Sequence, residues 1–351
     1  METFSTNTQK DVQEYYGKIL STTSDLKTNA CCLADAVPHY QKALLSRIHD
    51  EILEKFYGCG SPIPYALEGK SVLDLGSGSG RDAFLIAALA GPSGRVLGVD
   101  MTEEQLAVAQ KHREFHIKQF GLEDSCIQFK RGYIEDLKNL DIPDNSFDVV
   151  VSNCVINLSP NKEQVFREIF RVLKPGGELY FSDIFSTRRL PENFKADSVL
   201  VGECLGGALY TEDFRRIMLQ IGVPDFRVVK SSLVTINDPE IEARIGKTQF
   251  LSNTIRAFKM NLEDRCEDFG QVATYRGGIS HSEELFVLDD HHVFERNRPM
   301  LVCGNTADML SKSRYGQYFQ VSGDKSTHFG LFDCAPVDGG AAQSAASGAC
   351  C

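Results

Sequence analysis

The sequence predicts an α/β fold with a doubly wound parallel sheet, and three observations lead to this class. Short apolar stretches typical of buried strands lie near residues 71–75, 95–100, 126–131, 147–153 and 178–183. Segments with helical periodicity separate them, such as Arg81 to Ala90 and Lys162 to Leu173. A glycine-rich loop follows the first strand directly, as in the nucleotide-binding sheets of Rossmann-like proteins.

A helical leader and a second domain are expected on either side of this sheet. Between Pro38 and Gly58, apolar residues recur at every fourth position and predict one helical face: Leu44, Ile48, Ile52 and Phe56. The expected divisions are a leader at residues 1–65, a sheet domain at 66–225, a smaller α+β domain at 226–335 and a disordered tail at 336–351.

Two local signals refine the elements of the sheet domain. Thr102 and Gln105 have the spacing of a capping box, which predicts a helix that begins after the second strand. Lys174 to Gly177 combines proline and glycine, so we expect a turn there before the fifth strand.

Composition and charge restrict the class of protein. The chain has 351 residues, of which 42% are hydrophobic and 24% charged, as in globular proteins. Without a signal-peptide segment or a run of about 18 apolar residues, we expect a cytosolic protein with no membrane partner. The formal net charge of −11 disfavours nucleic acid, because phosphate backbones repel an acidic surface.

The segment Ser71 to Gly80, SVLDLGSGSG, carries the most informative motif. Its glycines permit a tight turn and a close approach of backbone N–H groups to a ligand. A dinucleotide fingerprint would need glycine at Arg81, and the Gly-Lys-Ser/Thr of a phosphate loop is absent. Asp74 suits a ligand ammonium group, and Asp100 ends the next strand, where such folds bind a ribose. The pattern resembles the class I S-adenosylmethionine-dependent methyltransferases.

Eleven cysteines in a chain without a secretory signal need an explanation, because reducing compartments disfavour structural disulfides. Cys126 and Cys303 have apolar neighbours and are expected in the core. The remaining candidates lie far apart in sequence: Cys154 after the fourth strand, Cys204 in a glycine-rich loop, Cys59 beyond the leader helix, and the pair Cys31 and Cys32. None shows the paired spacing of structural zinc sites.

Dispersed thiols beside a methyl donor favour a soft acceptor, and arsenic(III) fits this requirement. Arsenic(III) bonds to three sulfurs and keeps a lone pair, which could accept a methyl group without a base. Two alternatives remain open. A methyltransferase for a small organic acceptor would need a general base near the methyl group, and a non-catalytic thiol-based arsenic sensor would need no glycine loop.

Five segments, in order, resemble the eukaryotic and algal arsenite methyltransferases over roughly residues 8–330. They are QKDVQEYYG at 9–17, YGCG at 57–60, LDLGSGSGRD at 73–82, SNCVINL at 152–158 and GECLGGALY at 202–210. The resemblance implies that methyl groups pass from S-adenosylmethionine to arsenite and then to methylarsenite, as a detoxification. It also implies arsenite or its glutathione conjugates as substrate, and thioredoxin or glutathione as reductant. We expect a monomer.

The same resemblance implies roles for individual residues. Cys154 and Cys204 match the pair that holds arsenic(III). Cys59, with Cys31 or Cys32, matches thiols that assist binding and supply electrons as a disulfide after methyl transfer, and Cys31 aligns better than Cys32. Positions around S-adenosylmethionine are matched by Tyr57, Gly76, Asp100, Met101, Ile134 and Asn153. The expected cofactor residues further include Asp74, Ser77, Gly78, Gln105 and Glu135.

Overall fold

The computed structural model describes residues 37–58, 61–195, 197, 200–201, 204–236 and 238–333. The predicted roles of Cys31, Cys32 and Cys59, and the predicted disorder of residues 336–351, concern positions outside the described residues.

A twisted sheet of mixed direction forms the centre of the molecule. Its strands are β1 (Ser71–Leu75), β2 (Arg95–Asp100), β3 (Ile127–Arg131), β4 (Phe147–Asn153), β5 (Leu173–Ser186), β6 (Leu209–Tyr210), β7 (Phe226–Leu233) and β8 (Phe250–Phe258). They lie in the order β3-β2-β1-β4-β5-β8-β7, and β6 pairs with β5. The strands β1 to β6 pair in parallel, whereas β8 is antiparallel to both neighbours. The predicted parallel sheet is therefore confirmed, with an antiparallel edge in addition.

Helices cover both faces of this sheet. They are α1 (His39–Leu45), α2 (Asp50–Glu54), α3 (Arg81–Ala90), α4 (Glu103–Lys111), α5 (Arg113–Phe120), α6 (Lys162–Val172), α7 (Glu192–Lys195), α8 (Thr211–Gln220), α9 (Pro239–Ile245) and α10 (Gly304–Lys312). Consecutive strand residues point to opposite faces, so Val72 joins the apolar cluster around Phe84, and Leu73 joins the cluster around Phe166. None of these described helices has the length and apolarity needed to cross a membrane.

The leader differs from the single helical face that the apolar spacing predicts. It forms two short helices, α1 and α2, because the chain turns at residues 46–49. The ring of His49 caps α2 by accepting a hydrogen bond from the N–H of Glu51 at 3.2 Å. Ile48 and Ile52 are buried against the sheet, so the predicted apolar positions are correct although the helix is interrupted.

Two expectations about local structure are correct only in part. Thr102 does stand at the N-terminus of α4, but its side chain makes no capping bond, because it bonds to Asp100 instead. The segment from Lys174 to Gly177 falls within the bounds of β5, but these four residues have no strand-pairing partner in β4, and Gly176 has a φ of +78°. Phe147 pairs with Leu173 and Val149 with Glu178, so the expected turn is a bulge inside β5 and not a loop before the strand.

Small sheets and the helix α10 form the C-terminal part. The strands are β9 (Glu267–Asp268), β10 (Gln271–Tyr275), β11 (Leu285–Val287), β12 (Val293–Glu295), β13 (Pro299–Val302), β14 (Phe319–Ser322) and β15 (Gly330–Leu331). The fully buried Glu178 of β5 pairs with Arg256 and Arg314, and Arg256 also donates to Leu288 of the C-terminal part. Because β7 and β8 lie in the large sheet, hydrogen bonding crosses the division expected after residue 225, and the domain limits stay a prediction.

Candidate active site

A cavity of about 930 Å³, including its open mouth, lies at the carboxyl ends of β1, β2 and β4. Open α/β sheets bind ligands at this edge. The eleven residues expected around a cofactor all line it: Tyr57, Asp74, Gly76, Ser77, Gly78, Asp100, Met101, Gln105, Ile134, Glu135 and Asn153. The structure thus brings these residues together, and their role as cofactor ligands remains a proposal.

Two contacts determine the path of the glycine loop. Gly76 has a φ of +72°, and a Cβ there would lie 2.3 Å from the side chain of Val155. The N–H of Gly78 donates to Asp100 at 2.8 Å. The loop therefore packs against the segment after β4 on one side and is hydrogen-bonded to the end of β2 on the other.

Three carboxyl groups line the cavity close to one another, those of Asp74, Asp82 and Asp100. Burial, together with the neighbouring carboxylates of Asp82 and Asp100, raises the pKa of Asp74 well above its usual range. Burial also raises the pKa of Asp100, although backbone N–H groups of Thr102 and Gly78 lower it in part. A ligand with positive charge would relieve this unfavourable arrangement.

Two buried polar atoms point to what that ligand must offer. Within the described part of the chain, Asp74 Oδ2 and Ser77 Oγ have no hydrogen-bond partner. A buried acceptor without a donor costs about 1–3 kcal/mol, so such atoms indicate a missing donor. S-adenosylmethionine fits, because it carries an ammonium group, a positively charged sulfur and ribose hydroxyls. The residues present are therefore suited to this cofactor.

The segment after α2 lines part of the cavity, and only Tyr57 of this segment was expected there. Lys55 and Phe56 also line the cavity. The Arg81 guanidinium carbon lies 3.1 Å from the centre of the Phe56 ring, in a cation–π contact. A Cβ at Gly58 would lie 2.7 Å from the side-chain nitrogen of Asn153. These contacts hold the leader against the end of β4. In the sequence, the position of Arg81 directly after the glycine loop was the feature that could have indicated a contact with the leader.

Further lining residues lie outside the eleven residues expected around a cofactor, and several of them belong to the quoted motif segments. They are Ser79, Asp82, Thr102, Gly132, Val155, Leu158 and Ser159. Asp82 is the most informative of them, since it accepts hydrogen bonds from Arg81 and from Asn153 Nδ2, the latter at 2.8 Å. Asp82 thereby fixes the side-chain amide of Asn153 at the carboxyl end of β4.

Two cysteines fifty positions apart in sequence meet beside this cavity. Cys154 lines it, and Cys204 Sγ donates to the carbonyl oxygen of Cys154 at 3.5 Å. Both are buried in one apolar cluster. Both have a left-handed backbone, with φ of +55° and +60°, which costs about 1–3 kcal/mol for a residue with a side chain and clusters at functional sites. The sulfur of Cys154 belongs to a disulfide bond, so this thiol is in its oxidised form.

The order of the strands, the glycine loop and the position of the cavity define a class I S-adenosylmethionine-dependent methyltransferase. A model of the family described as a methyltransferase domain matches residues 66–222. A second model, described as the arsenite methyltransferase C-terminal domain, matches residues 269–339.

Relatives of the whole chain make the assignment more specific. An arsenite methyltransferase of Aquipseudomonas alcaligenes is 51% identical over 97% of this chain and 99% of its own length. The arsenite methyltransferase of Homo sapiens is 43% identical over 89% of this chain and 83% of its own. The crystal structure of an arsenic(III) S-adenosylmethionine methyltransferase from Chlamydomonas reinhardtii superposes with a TM-score of 0.82 at 47% identity, covering 85% of this chain and all of the other. The chain belongs to the arsenite methyltransferase family.

Proposed function

We infer that the chain transfers methyl groups from S-adenosylmethionine to arsenic(III), first to arsenite and then to methylarsenite. One observation carries this inference: two buried cysteines with left-handed backbones meet at the edge of a methyltransferase cavity. Thiolates are soft ligands, which arsenic(III) prefers. The methylated products serve arsenic detoxification in this proposal.

The carboxylates of the cavity would bind the cofactor through charge and hydrogen bonds. Asp74 would face the ammonium group, and Asp100 would accept hydrogen bonds from the ribose while it holds the glycine loop. A carboxylate has about four acceptor positions, so Asp100 can serve both tasks. S-adenosylmethionine supplies a methyl group on a positively charged sulfur, which a lone pair can accept.

The thiols would hold the acceptor beside this methyl group. Once Cys154 is reduced, the thiols of Cys154 and Cys204 each form an As–S bond while one As–O bond of arsenite breaks. Each displaced hydroxide leaves with the proton of the thiol as water, and the lone pair of arsenic stays unshared. No general base is required, because the lone pair carries no proton. The burial of both thiols in an apolar cluster excludes water from the bound arsenic.

A redox cycle follows from the electron count. When arsenic(III) accepts a methyl cation, it becomes formally pentavalent, and two electrons must return before the next transfer. Cys59 with Cys31 or Cys32 would give them by forming a disulfide, which thioredoxin or glutathione then reduces by thiol exchange. We place this activity in the cytosol, on a monomer, with arsenite or its glutathione conjugates as substrate.

The decisive experiment incubates the purified protein with arsenite, S-adenosylmethionine and a thiol reductant, and separates the arsenic species over time. Methylated arsenic species should form, and one S-adenosylhomocysteine should form for each methyl group transferred. Cys204→Ser is the matched control and should form neither. Methylation of a small organic acceptor such as a catechol, with none of arsenite, would favour the alternative function.

A further inference from the structure

A buried carboxylate lies directly behind the two thiol loops. Asp183 of β5 is 1% exposed, and its Oδ1 accepts from Asn157 Nδ2 at 2.7 Å and from the N–H of Ile184 at 2.8 Å. Its Oδ2 accepts from the backbone N–H of Asn157 at 3.1 Å. Asn157 Nδ2 also donates to the carbonyl of Ile184 at 2.5 Å. Asn157 is therefore fixed through its backbone and its side chain at once.

This arrangement is costly for the fold. Burial raises the pKa of Asp183 to about 7, although N–H groups of Ile184 and Asn157 lower it in part. Its hydrogen-bond donors are amides, and the charge of Lys162 acts on it only through space. An apolar pair would fill such a position at less cost. The hydrogen bonds between Asp183 and Asn157 do, however, fix the geometry of both residues.

The backbone segments that carry Asn157 and Asp183 contact both thiol loops. On one side, the N–H of Cys154 donates at 2.8 Å to the carbonyl of Ser182, the residue before Asp183. On the other side, the carbonyl oxygen of Asn157 lies so close to Gly207 that a Cβ there would be 2.1 Å away. Gly207 follows Cys204 by three residues in the same loop. One rigid unit thus supports the backbone of both thiols.

We propose that Asp183 and Asn157 are positioning residues that hold the Cys154 and Cys204 loops at the separation that one arsenic atom bridges. The inference rests on the proposed function, because it concerns the same thiol pair. Two As–S bonds to one atom fix the distance between the sulfurs within narrow limits, so small shifts of either loop weaken both bonds. Neither residue touches the cofactor cavity.

The test uses reduced full-length protein and methylarsenite as probe, with three variants. Asp183→Asn removes an acceptor and the charge at unchanged size. Gly207→Ala forces the Cys204 loop away from the Asn157 carbonyl without removing any hydrogen-bonding group. Asp289→Asn is the control for the loss of a buried carboxylate, because Asp289 is also 1% exposed but lies in the C-terminal part, where Arg227 and His292 are its partners.

Protection of Cys154 and Cys204 from alkylation, measured for each peptide by mass spectrometry, reports occupation of the thiol pair. In Asp183→Asn and Gly207→Ala, half-protection should need about 10- to 100-fold more methylarsenite. The Kd for S-adenosylmethionine should stay within about two-fold, as for independent sites. Thermal unfolding of all variants separates this effect from a general loss of stability.

Three results decide the matter. Normal protection in Asp183→Asn, or in Gly207→Ala if Asp183→Asn does not fold, would overturn the inference. The inference would also be overturned if Asp289→Asn lost as much protection as Asp183→Asn at the same loss of stability. If methylarsenite protects neither thiol in the unmodified protein, the proposed function itself is wrong, which is a distinguishable outcome.

Discussion

The carboxylate of Asp100 accepts a hydrogen bond from the N–H of Gly78 at 2.8 Å, so the end of β2 holds the glycine loop in place. Its other oxygen accepts from the N–H of Thr102 at 2.8 Å and fixes the start of α4. One side chain therefore joins the two segments that line the cofactor end of the cavity. Loss of this carboxylate should affect ligand binding both directly and through the loop.

Asp100→Ala should weaken the binding of S-adenosylmethionine by about ten-fold to more than a hundred-fold. A charge-assisted hydrogen bond contributes roughly 1.5–3 kcal/mol, and the loop contact is lost as well. Isothermal calorimetry measures the change. Asp136→Ala, at a residue that does not line the cavity, serves as control. An affinity unchanged by Asp100→Ala would exclude a role in cofactor binding.

The affinity for S-adenosylmethionine should rise with pH. The pKa of Asp74 is raised well above its usual range by burial and by Asp82 and Asp100, whereas a bound ammonium group favours the ionised form. Binding should therefore release a proton wherever Asp74 is protonated in the free protein. Calorimetry in buffers of different ionisation enthalpy, from about pH 5 to about pH 8, measures this release. Asp74→Asn should bind more weakly and lose the Asp74 contribution to proton release.

Cys204→Ser should abolish every methylation step and leave the affinity for S-adenosylmethionine unchanged. The thiolate is the arsenic ligand, and a serine hydroxyl cannot replace it. Cys154→Ser should behave in the same way. The matched control is Cys126→Ser. Cys126 is also a buried cysteine, but it belongs to the apolar cluster around Phe84 and not to the cluster of the thiol pair. Normal methylation of arsenite by Cys204→Ser would disprove the proposed ligand pair.

Cys59→Ser should lose activity on arsenite and retain some on methylarsenite. Inorganic arsenic(III) offers three positions to sulfur, so a third thiol can complete its ligand set. Methylarsenic(III) offers two, which Cys154 and Cys204 would fill by themselves. The ratio of kcat/KM values for the two substrates measures the difference. Equal losses on both substrates would mean that Cys59 acts elsewhere in the cycle.

The stability of the fold should depend on pH through His116. This residue is fully buried against Phe84, and burial lowers its pKa to about 4, below the ordinary value of 6.5. Between these values the unfolded chain binds more protons, so the contribution of His116 is fully present above about pH 6.5 and is lost as the pH falls towards 4. The pKa of Asp183 is raised to about 7, so the folded protein binds more protons at this residue, and the stability contribution of Asp183 falls as the pH rises through this overlapping range.

The contribution of His116 is isolated by comparison with His116→Phe in urea unfolding at several pH values. The variant keeps the stacking but loses the acceptor for the N–H of His49, so it should be less stable near neutral pH. Its stability should fall less steeply than that of the unmodified protein between about pH 6.5 and about pH 5. Identical slopes would contradict the assignment.

The sequence alone determined the local elements around the cofactor end of the sheet. The bounds of β1, β2, β4 and α3 agree with the predicted ones, because apolar periodicity and the glycine stop signals act over a few neighbouring residues. The eleven expected cofactor residues share one cavity because a parallel sheet places all its carboxyl ends at one edge. The motif and the topology located the residues at the strand ends, whereas Tyr57 of the leader was expected only from the resemblance to a family.

Only the tertiary structure decided which distant segments meet. The pairing of β8 with β5 and β7 depends on partners far apart in sequence, so local patterns could not reveal the antiparallel edge. The contact between Cys204 and Cys154 also joins distant segments, and local patterns could not reveal it, although the resemblance to a family implied this pair. Asp183 looks in the sequence like an ordinary residue of a strand, and its importance arises because burial removes water and leaves Asn157 as its main partner. Local propensity specifies elements, whereas desolvation and long-range packing specify the geometry in which they meet.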